Sequence, residues 1–186
     1  MMQTETAVRH LAQGRDALVR AVDGLAEAEL RFTPGPHRWS MADVVEHLAR
    51  VEEFFVQRIA ARLTDLPATP SDGHLADDRI VEWERDPLNT VVVPGRVSLA
   101  MAPPPIRPTA GWSVRESLDR FLGDREKTEI FVRETPGLLE HAFEHPALGP
   151  MNAYQWVLFI AAHTERHLRQ IEGIKADARF SCATCS

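Results

Sequence analysis

Apolar side chains recur at intervals of three and four residues along four stretches of the chain, which is the spacing of one face of an α-helix. The predicted helices cover residues 4–28, residues 40–63, residues 113–134 and residues 152–178, and a shorter one covers residues 79–85. One turn, one long crossover and a second connection separate the four long stretches. The pattern therefore predicts an all-α fold.

Residues that favour helix ends support these boundaries. Ser40 is followed three residues later by Asp43, and Ser113 by Glu116, which is the spacing of a capping box. Asn152 is a suitable N-cap for the last helix. The run FTPGPH at residues 32–37 is expected to end the first helix.

The connection over residues 64–111, between the second and third long helices, is rich in Pro and Asp. Four amphipathic helices with one long crossover are typical of a four-helix bundle. We expect one such domain over residues 1–178, followed by a flexible tail over residues 179–186. Cys182 and Cys185 lie in this tail, where a frayed end is favoured over a reversible disulfide or a metal contact between subunits.

Composition narrows the function classes. The chain has 186 residues, of which 44% are hydrophobic, and this is enough for one sizeable core. A net charge of -6 argues against nucleic-acid binding, which needs clustered Lys and Arg. We find no apolar signal segment and no apolar run long enough to cross a bilayer. We therefore expect a soluble, cytoplasmic protein without a membrane partner.

Two histidines give the chain its clearest chemistry. His163 and His167 lie on the apolar stripe of the last helix, four residues apart. Four residues correspond to about 6 Å of rise at nearly the same azimuth, so both imidazoles can point at one ion. The alternative is a pair of hydrogen-bonded core histidines.

His47 is the best candidate for a third ligand, because it lies well inside the second helix and beside its apolar stripe. His10 lies early in the first helix and off its stripe. Three imidazoles leave at least one coordination position for water or substrate, which is the pattern of a catalytic site. The expected cofactor is one divalent ion, zinc or nickel, with iron, manganese or cobalt as alternatives.

Other metal motifs do not fit the residues around these histidines. A zinc-protease HExxH helix needs Glu directly after the first His, where Thr164 stands, and Arg166 occupies the Glu position of the inverted motif. Di-iron bundles need Glu three residues before a ligand His, and that residue is Val44 for His47. A carboxylate-bridged pair of metal ions is therefore not expected.

Three segments together resemble the DinB-like superfamily of helical bundles, which includes bacillithiol- and mycothiol-dependent transferases and proteins described as metal-dependent hydrolases. The segments are WSMADVVEHL from Trp39, HPALG from His145 and WVLFIAAHTERHLRQI from Trp156. The resemblance implies a three-histidine metal site at His47, His163 and His167, and a homodimer.

For some members the resemblance also implies transfer of a low-molecular-weight thiol to an electrophile. The protein is then expected to be a metal-dependent thiol transferase with a small-molecule substrate. The alternatives are a metal-dependent hydrolase and a non-catalytic bundle that binds a metal or small ligand. The crossover is expected to cover the metal site or to build the dimer.

The remaining candidates each have a structural interpretation that we favour. Glu46 and Glu165 are weak candidates for acid-base catalysis, but solvated helix positions are commoner. Four further residues can line a site or contact a ligand, but packing or hydrogen bonding is the expected role for them: Trp39, His145, Trp156 and Gln170. Arg15 and Arg125 can meet an anionic substrate, but snorkelling at the edge of an apolar stripe is the commoner role.

Overall fold

A computed structural model of the protein describes residues 2–65, 76–85, 92–93, 96–97, 102–145 and 148–180. The helices among them are α1 (Met2–Val22), α2 (Glu27–Leu30), α3 (Met41–Asp65), α4 (Asp77–Arg85), α5 (Val114–Glu134) and α6 (Ala153–Lys175), with a 3-10 turn at Pro104–Ile106. Two antiparallel hairpins pair β1 (Val92–Val93) with β2 (Arg96–Val97) and β3 (Ala142–His145) with β4 (Gly149–Asn152).

The long helices α1, α3, α5 and α6 form a four-helix bundle. Both α1 and α3 pack against α5 and α6, and α4 packs on the outside of α6. Apolar residues from all four long helices fill the interior, as the fully buried Leu11, Val44, Phe121 and Ile160 illustrate. The all-α fold, with its long crossover between the second and third bundle helices, is confirmed.

The predicted helix caps are also confirmed. The Ser40 backbone N–H donates to Asp43 at 2.9 Å, and the Asp43 N–H donates to the Ser40 hydroxyl at 3.1 Å. Ser113 and Glu116 make the same reciprocal pair at the start of α5. Asn152 caps α6 by accepting from the Gln155 N–H at 2.8 Å. These local hydrogen bonds satisfy helix N–H groups that have no partner within the helix.

Two helix ends differ from the prediction. The first helix does not continue to residue 28, because Gly24 adopts a φ of +72° that turns the chain away before the short helix α2. The last helix ends at Lys175, with Ala176 as its C-cap. The side chain of Phe180 then contacts Phe32, at 5.6 Å between ring centroids. Residues 181–186, with Cys182 and Cys185, lie outside the described residues.

The hairpin of β3 and β4 is a feature that helical periodicity did not predict. Its strands pair from Ala142 opposite Asn152 to His145 opposite Gly149. The hairpin leads directly into α6, whose first backbone N–H, on Ala153, donates to the His141 carbonyl oxygen at 2.9 Å. It therefore fixes the start of α6. None of the described helices is long and apolar enough to cross a membrane.

A buried ion pair lies at the centre of the bundle. Arg125 is 0% exposed and donates to Glu52 at 2.8 Å, to the Thr164 hydroxyl at 2.8 Å and to the Leu11 carbonyl oxygen at 3.0 Å. The suggestion that Arg125 meets a substrate or snorkels at a stripe edge is therefore wrong. Its partners come from α1, α3 and α6, so this one guanidinium connects all four long helices.

The approach of α1 to this ion pair depends on Gly14. A Cβ atom at that position would lie 3.2 Å from the Thr164 side chain, which is a tight contact. Arg15, the next residue, is half-buried and pairs with Glu129 at 2.8 Å and with Asp16 at 3.0 Å. The guanidinium of Arg15 is therefore paired with two carboxylates at the bundle surface.

We predict that Glu52→Gln lowers the free energy of unfolding by about 3 kcal/mol, because it leaves the buried Arg125 charge without its counter-ion. Glu53→Gln changes the neighbouring exposed carboxylate and should alter stability by less than about 0.5 kcal/mol. Urea unfolding followed by circular dichroism measures both. Equal stability of the two variants would contradict a stabilising role for the ion pair.

Candidate metal centre

Three imidazoles meet between α3 and α6. His47 comes from α3, and His163 and His167 come from successive turns of α6. The His163 Nε2 atom lies 3.0 Å from the His47 Nε2 atom and 3.2 Å from the His167 Nε2 atom. The three potential ligand atoms all lie within 4.8 Å of one another. The structure therefore brings together the three histidines that the sequence singled out.

The other ring nitrogen of each imidazole faces an oxygen atom. His47 Nδ1 lies 2.7 Å from the Ile106 carbonyl oxygen, and His167 Nδ1 lies 2.8 Å from Gln170 Oε1. His163 Nδ1 lies 3.3 Å from both carboxylate oxygens of Glu84. These oxygens accept, which favours the tautomer with the proton on each Nδ1 atom. A neutral imidazole then has its lone pair on Nε2, and the three lone pairs face one another.

This arrangement fits a metal ion. Two nitrogens held about 2.1 Å from one ion, at angles of about 90–110°, are about 3.0–3.4 Å apart. The two shortest separations in the group, 3.0 and 3.2 Å, fall in that range. Two unprotonated nitrogens cannot hydrogen-bond to each other, so a cation between them would relieve their repulsion. The three-histidine group can therefore hold one divalent ion.

The protonation of the group also suits a ligand role. Burial, followed by the neighbouring His163, lowers the pKa of His47 to about 3. Burial, followed by the neighbouring His163 and His47, lowers the pKa of His167 well below its ordinary value. Both imidazoles are neutral at pH 7, which is the form that binds metals.

Two aromatic side chains form walls around the imidazoles. Trp39 stacks on His167 with an interplanar angle of 22°, and its ring centroid lies 4.8 Å from that of His47. Phe159 stacks on His163 at 5.8 Å. His163 has 15% of its side chain exposed, whereas His47 is only 2% exposed overall. His163 is therefore the most exposed of the three imidazoles.

Glu84 is a component of the site that the sequence did not single out. It lies on α4 with 1% of its side chain exposed, and Arg166 approaches its carboxylate at 3.6 Å. Burial opposes its charge, but His163 and Arg166 hold the pKa of the carboxyl below its usual value. A signal was present in the spacing, because Glu84 lies four residues after the buried Ile80 and so shares its helix face.

The two carboxylates that the sequence did suggest have other partners. Glu46 accepts from Arg50 at 2.8 Å and from the Thr109 backbone N–H at 3.0 Å. It is 2% exposed, so the expectation of a solvated position is wrong for Glu46. Glu165 is half-buried and lies 3.3 Å from His10 and 3.5 Å from Arg85. Neither carboxylate is part of the three-histidine group.

His145 and Trp156 pack against other aromatic residues, as expected from the sequence. The His145 ring lies 5.1 Å from Trp156 and 5.0 Å from Phe159, and its Nδ1 atom accepts from the Leu148 backbone N–H at 3.1 Å. Trp156 stacks on Phe143 at 5.0 Å. These aromatic contacts support Phe159, and Phe159 in turn contacts His163.

Comparison with known proteins agrees with this architecture. The chain matches the DinB superfamily over residues 10–171, a span that contains all three histidines. It is also similar to the uncharacterized protein YuaE of Bacillus subtilis (strain 168), with 26% identity over 156 residues. That similarity covers 82% of this chain and 86% of the relative.

We predict that His145 makes stability depend on pH. Burial lowers its folded-state pKa to about 4, whereas the unfolded chain takes up this proton near pH 6.5. The stability that its neutral form contributes is therefore complete above about pH 6.5 and is lost as the pH falls towards about 4. Between pH 6.5 and 5 this group alone accounts for a loss of about 1.5 kcal/mol.

His145→Asn should remove this component while keeping an acceptor for the Leu148 N–H. The control is His37→Asn, an exposed histidine whose φ of 61° is one that Asn tolerates. Urea unfolding of the metal-free proteins at pH 6.5 and pH 5 measures the difference. If His145→Asn loses as much stability as His37→Asn over this interval, the prediction is wrong.

Proposed function

Because this chain belongs to the DinB superfamily, we propose that His47, His163 and His167 bind one divalent metal ion and that the protein is an enzyme that transfers a low-molecular-weight thiol to an electrophile. Zinc or nickel is the proposed ion, with iron, manganese and cobalt as alternatives. The homodimer expected from the family resemblance stays a prediction.

One observation carries this proposal: the Nε2 atoms of the three imidazoles lie close together. The other nitrogen of each ring, Nδ1, faces an oxygen atom. Three imidazole ligands leave at least one coordination position open, as in catalytic rather than structural sites. A divalent ion held there would lower the pKa of a thiol that binds it. The nucleophilic thiolate would then form near neutral pH.

The residues of this chain have separate tasks in such a reaction. The three imidazoles hold the ion, and their oxygen partners keep the rings oriented. Trp39 and Phe159 cover the imidazole faces and exclude water from them. The less buried His163 lies where a thiol and an electrophile can enter.

The acidic residues near the three histidines bear on the hydrolase alternative. Hydrolysis is helped by a general base within reach of the attacking water. Within the described part of the chain, each carboxylate close to the ligands in sequence or in space has other partners: Glu46 with Arg50 and Thr109, Glu84 with His163 and Arg166, and Glu165 with His10 and Arg85. A divalent ion would activate a bound thiol or a bound water in the same way, so the choice of thiol transfer rests on the family resemblance.

We predict that protein purified without a histidine tag contains about one divalent ion per chain, and that His163→Ala removes most of it. Glu165→Ala should keep the ion, because its carboxylate pairs with His10 and Arg85 instead. Elemental analysis of the parent and both variants measures this. Equal loss in the two variants would refute the ligand assignment, and a folded parent that takes up no added ion would refute the metal proposal.

We further predict that the metal-loaded protein consumes bacillithiol or mycothiol in the presence of an electrophile such as a chromogenic aryl halide. His47→Ala should lose this activity together with its ion, and Glu165→Ala should retain most of it. Thiol loss and product formation are followed by absorbance. Ester cleavage without any thiol would support a hydrolase instead, and metal binding with neither reaction would support a binding protein.

A further inference from the structure

Glu84, on the short helix α4, faces one imidazole of the candidate metal centre. Both carboxylate oxygens of Glu84 lie 3.3 Å from His163 Nδ1, and the carboxylate is 1% exposed. The carboxylate is not grouped with the three ligand nitrogens. Its role is therefore to act on a ligand rather than to replace one.

The rest of α4 is attached to the same helix that carries His163. Tyr154 donates to Asp77 at 2.9 Å near the start of α4, and Arg169 donates to the Glu84 carbonyl oxygen at 3.3 Å near its end. Between these contacts, Ile80 is fully buried and Trp83 packs against Phe159, with ring centroids 5.9 Å apart. The position of α4 on α6 thus determines where the Glu84 carboxylate lies.

Burying a carboxylate is costly unless charged or hydrogen-bonding partners compensate. Among the residues that the structure describes, the Glu84 carboxylate is paired with His163 and Arg166, both on α6. A cation at the Nε2 atom of an imidazole makes its Nδ1–H group a stronger donor, and a carboxylate at Nδ1 makes the imidazole a stronger ligand. Each contact therefore strengthens the other.

From this geometry we infer that Glu84 is a positioning residue for His163, and that ion binding at the three histidines and docking of α4 on α6 stabilise each other. The inference rests on the proposed metal binding. It extends that proposal by giving the crossover helix a defined part in metal affinity. Because linkage is reciprocal, the factor by which docked α4 raises ion affinity equals the factor by which the ion favours docking.

The test uses Zn²⁺ alone and the full chain. Glu84→Gln keeps an oxygen that accepts from His163 Nδ1 but removes the charge, and we expect its Zn²⁺ affinity to fall about 10- to 100-fold in competition with a chelator. Glu82→Gln, an exposed position on the same helix, is the matched control and should bind as the parent does.

Amide hydrogen exchange supplies a second readout that a purely structural role would not change. In the parent, Zn²⁺ should slow exchange at residues 77–85, and in Glu84→Gln this slowing should be largely lost. Equal Zn²⁺ affinity of the Glu84→Gln and Glu82→Gln variants would overturn the inference.

The inference would also be overturned if Zn²⁺ left amide exchange in α4 of the parent unchanged. This measurement on the parent tests the inference even if Glu84→Gln does not fold. In both of these cases the parent still binds Zn²⁺ and the proposed function stands. A parent that binds no Zn²⁺ would instead refute the metal proposal and this inference with it.

Discussion

The proton on each Nδ1 atom is the constraint on which the three-histidine group depends. A neutral imidazole has one N–H group and one lone pair, so fixing the proton on one nitrogen fixes the lone pair on the other. Here a backbone carbonyl, a side-chain amide and a carboxylate each face one Nδ1 atom. Without these acceptors the rings would exchange tautomers and the three Nε2 lone pairs would not stay directed at one point. The site is therefore built as much by the oxygens behind the rings as by the rings themselves.

His47 faces His163 only if α3 and α6 keep a fixed rotation about their axes relative to each other. The buried ion pair of Arg125 and Glu52 meets this need. A guanidinium donates in fixed directions, and here one guanidinium reaches acceptors on three other helices. Thr164, which directly follows His163, is one of those acceptors. Rotating or sliding α6 would break that contact and leave a buried N–H group of Arg125 without its acceptor, so the position of Arg125 and the register of His163 are coupled.

Local patterns were sufficient to predict the fold and the ligand candidates. Helical spacing placed His163 and His167 on one face, and the position of His47 inside a second helix made it the best third residue. Capping residues located the starts of α3, α5 and α6, because a cap acts over only three residues. The end of the first helix was misjudged, since the backbone turn at Gly24 competes with an apolar pattern that continues beyond it.

The contacts that complete the site are not local, and periodicity does not detect them. Glu84 is 79 residues from His163 in the sequence, and Ile106 is 59 residues from His47. Ile106 contributes a backbone carbonyl, which every residue type carries, so no side-chain pattern marks it. Arg125 was misjudged for a related reason, because a lone Arg on an apolar stripe gives no sign of a buried Glu52 on another helix. Helical periodicity assigns faces, whereas partners across the bundle depend on tertiary packing.

The described parts of the crossover between α3 and α5 provide partners for two of the three imidazoles, through Glu84 and the Ile106 carbonyl. Glu46 strengthens the second of these connections, because it accepts from Thr109 and so holds the chain that follows Ile106 against α3. The ligands themselves lie on bundle helices, which the fold positions whatever the crossover does. A change in the crossover would therefore leave the three histidines at the same helix positions while altering the orientation and basicity of two of the imidazoles. The fold thus sets the positions of the three histidines, and the attached segments set the surroundings of their rings.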